Sequence, residues 1–192
     1  DPLNMYETSV KVPAIVSRPG YVPEGGVCEE LFSHYDWMPT LLDYLGIENP
    51  VADALPGQSF APLLNGDEVE GSGAVVVFDE YGPTRMIRDR AWKYVHRYPD
   101  GPHELYDLVN DPDETRDLYG APEHQARVTA MRGRLEGWFR RYVVEEMDGT
   151  ALPVSGRGQY ALAPEGPDAF AQAWVQEGEW WGEDIPVADA DA

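Results

Sequence analysis

The hydrophobic and polar positions of the first fifty residues predict a strand, a loop and a helix. Residues 12–16 (VPAIV) are short, apolar and partly β-branched, which is typical of a strand buried on both faces of a parallel sheet. A loop rich in proline and glycine follows. An apolar helix comes next, for which Asp36 is the predicted N-cap, Pro39 lies in the first turn and Gly46 marks the end. Strand, loop and helix in this order form half of an α/β unit.

The next part of the chain contains four close-spaced segments whose composition and alternation predict strands. They read AVVVFDE, TRMIR, WKYVHRY and HELYDL. Because the connections between them are short, we expect an antiparallel sheet. In the third segment Tyr94 and His96 share one face, whereas Lys93 and Val95 share the other.

A long helix and an acidic tail complete the pattern. Residues 122–147 carry apolar residues at intervals of three and four, so they predict a helix that covers one face of the sheet. The sequence then becomes rich in glycine, proline, alanine and acidic residues, but its tryptophans predict that it lies along a larger body. We therefore expect three parts: residues 1–73 as the incomplete end of an α/β domain, 74–147 as an antiparallel sheet-plus-helix subdomain, and 148–192 as an acidic extension.

Composition excludes several classes of function. The chain has 14 basic and 35 acidic residues and a net charge of −21, which argues against a nucleic-acid partner. It contains no apolar run of about 20 residues, so no transmembrane segment is predicted. Cys28 is the single cysteine, which excludes an internal disulfide and a cysteine-based zinc site. No signal-peptide pattern is visible, and the sequence assigns no compartment.

Candidate chemistry is sparse. His34, His96 and His103 could include a metal pair, but ordinary hydrogen bonds are the favoured interpretation for each. The acidic pair at 79–80 follows a predicted strand, and the solvated end of a strand explains it best. The acidic stretch NDPDETRD predicts a turn with capping carboxylates rather than a metal site, and NGDEVEG lacks the spacing of an EF-hand. By themselves these residues describe an α+β piece without a complete active site.

Several motifs occur in a recognisable order. The first half contains YE, KVP, RPG, DWMPTLLDYLG and GQSFAPLLNG, and the second contains TRMIRDRAWKYVHR and HELYDLVNDPDETRDL. In this order they resemble the segment that follows the catalytic core of the type I sulfatases, the arylsulfatase-like members of the alkaline-phosphatase-like superfamily. The resemblance covers residues 5–118. It implies a truncated α/β fold: the last strand–helix unit of the large domain, followed by a C-terminal antiparallel sheet subdomain with a covering helix.

The resemblance also implies a chemistry, namely hydrolysis of a sulfate ester with a formylglycine nucleophile and a calcium ion. It places the catalytic residues and the calcium ligands upstream of Asp1, so that this chain contains none of them. Cys28 is followed by Glu-Glu-Leu and does not match the formylglycine motif. Lys11 occupies a structural basic position, since the resemblance places the catalytic lysine of the family ahead of the Tyr6-Glu7 motif and upstream of Asp1. We therefore expect this chain to be inactive alone.

What the resemblance leaves to this chain is a rim of the substrate cleft, expected at Asn4, Glu7, Tyr81 and His103. Two alternatives stay open: a phosphodiesterase or phosphonate hydrolase of the same superfamily, and a non-catalytic acidic module whose tail serves a homo-oligomer interface or binds calcium. The fragment interpretation predicts an exposed apolar edge around residues 12–16, whereas an independent module would fold without one. The residues do not identify the sulfate ester.

Overall fold

The computed structural model describes residues 4–79, 84–98, 100–144, 148 and 150. Its centre is an antiparallel sheet of four strands in the order β1-β2-β3-β4. The strands are Val75–Phe78 (β1), Thr84–Arg88 (β2), Trp92–Arg97 (β3) and Glu104–Asp107 (β4). All four predicted strands and their antiparallel arrangement are confirmed.

Helices lie before and after the sheet in the chain. They are Glu7–Val10 (α1), Trp37–Tyr44 (α2), Ala61–Leu64 (α3) and Gln125–Tyr142 (α4), with single 3₁₀ turns at His34–Asp36, Ala52–Ala54 and Pro122–His124. The 3₁₀ turn at Pro122–His124 and α4 together confirm the predicted long helix over most of its length. Its last predicted residues, 145–147, lie outside the described residues. In the described part of the chain, no helix is long and apolar enough to cross a bilayer.

The two faces of the sheet bury different partners. On one face α4 packs against the apolar side chains of the strands, among them Tyr94 and Leu105, both fully buried. On the opposite face Met5, from the start of the chain, packs against Met86 and Val95. Adjacent residues of β3 therefore belong to two separate cores, and the predicted alternation along this strand and the covering role of the long helix are both confirmed.

The strand predicted at residues 12–16 does not form, and that prediction is wrong. A strand is held by hydrogen bonds to a neighbouring strand, and none of the described residues pairs with this segment. Val12 is 57% exposed and Ile15 is 90% exposed, which confirms the predicted apolar edge. The segment has the composition of a buried strand without the neighbours that would bury it.

Asp36 occupies the predicted N-cap position of α2, but its side chain makes no cap hydrogen bond to that helix. A 3₁₀ turn runs directly into α2, so the backbone of Asp36 is already helical and its side chain does not cap α2. Its carboxylate instead accepts the backbone N–H of Ser33 at 2.6 Å and that of Gln58 at 2.8 Å. Thr40 Oγ1 accepts the N–H of Phe60 at 2.9 Å. The motifs DWMPT and GQSF are thus hydrogen-bonded to each other through two buried side chains of the first motif.

Gly57 makes this contact possible. A Cβ at this position would lie 1.9 Å from the carbonyl oxygen of Tyr35 and 2.9 Å from the backbone nitrogen of Asp36. Only a residue without a side chain lets the two backbones approach so closely.

Gly46 has a φ of +68° after α2, so the predicted end of that helix is confirmed.

Candidate functional site

A buried ion network joins the start of the chain to the sheet. Lys93, in the inner strand β3, has no exposed surface, and its Nζ donates to the carbonyl oxygen of Met5 at 2.8 Å. The same nitrogen lies 2.8 Å from Glu7 Oε1 and 2.6 Å from Glu114 Oε1. The ammonium group therefore has three oxygen partners. Two belong to Met5 and Glu7, which precede the sheet in the sequence, and the third belongs to Glu114, which follows its last strand.

The two carboxylates are connected to each other as well. The backbone N–H of Glu7 donates to Glu114 Oε2 at 2.6 Å, and Arg88 Nε donates to Glu7 Oε1 at 3.0 Å. Burial raises the pKa of Glu7, but the hydrogen bonds from Lys93 and Arg88 outweigh it and lower that pKa below its ordinary value. Glu7 is consequently ionised at neutral pH, and two cations face two carboxylates.

Glu114 is presented by the loop that follows β4. Asp111 organises this loop, since its carboxylate accepts the backbone N–H groups of Thr115 at 3.1 Å and Arg116 at 2.8 Å. The predicted turn in NDPDETRD is therefore confirmed. Glu114 itself has a φ of +54°, which a residue other than glycine rarely adopts. This backbone conformation is stabilised by the ion pair and hydrogen bond that its side chain makes.

A second cluster of titratable groups lies near the other end of β3. The imidazole rings of His96 and His103 are stacked with their centroids 4.1 Å apart. The Tyr94 hydroxyl is 2.7 Å from His96 Nδ1, and the backbone N–H of Arg97 donates to His103 Nδ1 at 3.2 Å. Burial, followed by the charge of His103, lowers the pKa of His96 to about 4. The structure brings the two histidines together as hydrogen-bonded neutral rings.

The expected rim residues have the following positions. Asn4 Oδ1 accepts the backbone N–H of Tyr6 at 3.3 Å, Glu7 belongs to the ion network, and His103 belongs to the imidazole cluster. Tyr81 lies outside the described residues. Their placement around a substrate cleft stays a prediction.

Sequence reasoning missed Lys93, Glu114 and Arg88 as functional candidates. One signal was present for Lys93: alternation along β3 puts it on the same face as apolar Val95, where a charged residue requires a partner. Nothing in the sequence indicates that the partner is Glu7, because the two residues are far apart in the chain.

The described residues do not form a centre for a metal or for a nucleophile. Within the described ranges, no group of three or more histidine, cysteine or acidic side chains is arranged to hold a metal ion. Cys28 is exposed and lies in the sequence CEEL, which is not a formylglycine motif. These residues therefore do not fit calcium or formylglycine.

Comparison with known proteins explains this incomplete site. The chain belongs to the N-sulphoglucosamine sulphohydrolase C-terminal family, whose model matches residues 1–141.

Similar proteins are sulfatases by name. The Δ4,5-hexuronate-2-O-sulfatase of Bacteroides thetaiotaomicron is 31% identical over 148 residues, which is 72% of this chain and 30% of that protein. Human arylsulfatase K is 33% identical over 126 residues, which is 58% of this chain and 23% of that protein. The solved structure of a candidate sulfatase from B. thetaiotaomicron matches with a TM-score of 0.51 and 31% identity, over 70% of this chain and 31% of that one. The chain thus spans about a third or less of the length of these relatives.

Proposed function

We propose that this chain is the C-terminal part of a sulfatase and that the complete protein hydrolyses a sulfate ester. The observation that carries the proposal is the family match over residues 1–141. The hydrogen bonds between the DWMPT and GQSF segments support it, since they give the matched motifs a structural role in the same unit.

The catalytic groups belong to the part of the protein that lies outside this chain. In a sulfatase a formylglycine hydrate is the expected nucleophile, and calcium is the expected counter-charge for the sulfate group. Because the described residues fit neither group, no catalytic step is assigned to them. The proposed contribution of this chain is structural: it supplies the sheet, the covering helix and residues 4–10, which pack against the sheet.

The proposed substrate class is a sulfated sugar. The relative from B. thetaiotaomicron is named as a hexuronate-2-O-sulfatase, and this name supports a carbohydrate sulfate as a substrate. The rim residues Asn4, Tyr81 and His103 are proposed to contact the sugar rather than the sulfur atom. Glu7 is included in that rim, but its ion pairs with Lys93 and Arg88 support a positioning role as well.

The experiment compares the protein encoded by the complete reading frame with this chain alone. Sulfate release is measured from an aryl sulfate and from a 2-O-sulfated unsaturated hexuronate disaccharide, and a phosphonate monoester is the matched control substrate. We expect sulfate release from the complete protein, its loss on calcium chelation, and no turnover by this chain. Cleavage of the phosphonate alone would support the phosphonate hydrolase alternative, and turnover by the isolated chain would contradict the placement of the catalytic groups.

A further inference from the structure

Three consecutive residues of the docked segment, defined as residues 4–10, each have their own partner on one face of the sheet. Met5 packs against Met86 and Val95. The ring of Tyr6 lies 6.0 Å from that of Tyr106, measured between centroids. These contacts are apolar or aromatic, and such contacts tolerate sliding along a strand, because the hydrophobic effect has no preferred direction.

The charged residue of the segment, Glu7, prevents this sliding along the strand. In the register of the sheet Arg88 lies directly opposite Lys93 on neighbouring strands. Two cations in this position repel each other unless an anion lies between them. Glu7 Oε1 is that anion, at 3.0 Å from Arg88 Nε and 2.8 Å from Lys93 Nζ. A shift of the segment by one residue would remove the carboxylate from both.

Glu114, from the loop after β4, completes the arrangement on the same face of the sheet. Its two oxygens bind the Lys93 ammonium and the backbone N–H of Glu7, which is the first residue of α1. Lys93 also holds the carbonyl oxygen of Met5. Both the side chain and the backbone of the docked segment are therefore fixed by one buried cation and its carboxylate partner.

Stability alone does not account for this network. A buried ion pair costs so much desolvation that an apolar replacement of similar volume is often as stable. What a buried ion pair provides that an apolar contact does not is a single register, because an unpaired charge in the wrong register is strongly unfavourable.

We propose that Lys93 is a positioning residue that sets the register of residues 4–10 on the sheet and thereby orients the chain that precedes them. This role rests on the proposed function, because the catalytic lysine of a sulfatase is expected upstream of Asp1, in the chain that precedes this segment. Lys93 acts through Glu7 and Glu114 and does not contact the substrate.

The first test is hydrogen–deuterium exchange on this chain. In the Lys93→Met variant we expect the amides of residues 5–10 to exchange at least about tenfold faster, while those of α4 keep their rates. Lys11→Met is the matched control, since Lys11 is the other lysine of the chain and is exposed. If Lys93→Met does not fold, the same exchange measurement is made on Glu7→Gln. This variant removes the ion pairs of Glu7 but keeps the Lys93–Glu114 pair, and we expect the same faster exchange at residues 5–10. Unchanged exchange at residues 5–10 in the folded variant would overturn the proposal.

The second test uses the complete protein and separates this proposal from the proposed function. In Lys93→Met we expect kcat to fall at least about tenfold with KM nearly unchanged, because a displaced catalytic group loses its alignment without loss of substrate contacts. Lys11→Met should keep both constants. An unaltered complete protein without sulfatase activity would refute the proposed function, and the exchange experiment would still decide the docking of residues 4–10. An active Lys93→Met enzyme with unchanged kcat would refute the positioning role.

Discussion

The Tyr94 hydroxyl lies 2.7 Å from Nδ1 of His96, two positions further along the same strand. His96 is only 4% exposed, and its ring is stacked against that of His103. An imidazolium at this position would lose water and face a second imidazole, so burial and the charge of His103 both lower the pKa of His96, to about 4. The folded protein therefore favours the neutral ring.

This preference predicts a loss of stability in mild acid. The unfolded chain takes up a proton at His96 near pH 6.5, but the folded chain does so only near pH 4, so falling pH favours the unfolded state between these values. From pH 6.5 to pH 5 the free energy of unfolding should fall by about 2 kcal/mol on account of this group. Urea unfolding at pH 7.5 and pH 5 measures the difference. The titration of Glu7 does not contribute in this pH range, because the pKa of Glu7 is lowered below its ordinary value of 4.5.

The control replaces the titrating ring. His96→Gln should flatten the dependence of unfolding free energy on pH between 7.5 and 5, whereas His34→Gln, at an exposed position, should keep the dependence of the unaltered chain. Equal slopes for all three proteins would show that His96 does not control acid stability.

The core between α4 and the sheet predicts a large effect of truncation. Leu135 is 1% exposed and packs against Tyr94 and Leu105 in the same core, so Leu135→Ala should lower the free energy of unfolding by about 2–5 kcal/mol through lost burial and a cavity. Leu45→Ala is the matched exchange at a position that is 64% exposed, where the loss should stay below about 1 kcal/mol. Chemical denaturation of both variants measures the contrast. Similar losses would mean that Leu45 is covered in solution.

The close approach at Gly57 predicts that a single methyl group is costly. In Gly57→Ala the Cβ would meet the backbone of Tyr35, which cannot move away as a flexible side chain could, so we expect a loss of about 2 kcal/mol or more. Gly120→Ala is the control, since nothing lies within 4 Å of a Cβ there. Thermal unfolding of the two variants tests this. Equal melting temperatures would contradict the observed contact between the DWMPT and GQSF segments.

The exposed apolar residues of the first part of the chain predict self-association. Ile15 is 90% exposed and Val27 is 88% exposed, which is more than an isolated monomer usually leaves uncovered in one segment. Ile15→Ser should reduce binding of an apolar dye and the apparent mass in light scattering without lowering the melting temperature. Val109→Ser is the matched control, because Val109 is 68% exposed in the loop after β4. A chain that is monomeric and does not bind the dye would favour the independent acidic module.

The local sequence pattern was sufficient to predict the strands and the long helix in the second half of the chain. Alternation and short connections predicted the strands of the sheet, and the three-to-four spacing of apolar residues predicted α4 against one face. These predictions are confirmed because hairpins and an amphipathic helix are set by residues close together in sequence. The family could also be inferred from the order of the motifs, and the match over residues 1–141 confirms it.

Only the tertiary structure decided the partners of the charged and polar residues. The sequence predicted Asp36 as a helix cap, but its carboxylate binds the backbone of Gln58 instead. Residues 12–16 have the composition of a buried strand, but a strand exists only where another strand supplies its hydrogen bonds. Lys93 and Glu7 lie on separate elements, and no local pattern links them. Their pairing follows from where the sheet and the docked segment meet, because a buried ammonium group is stable only beside carboxylates brought to it by the fold.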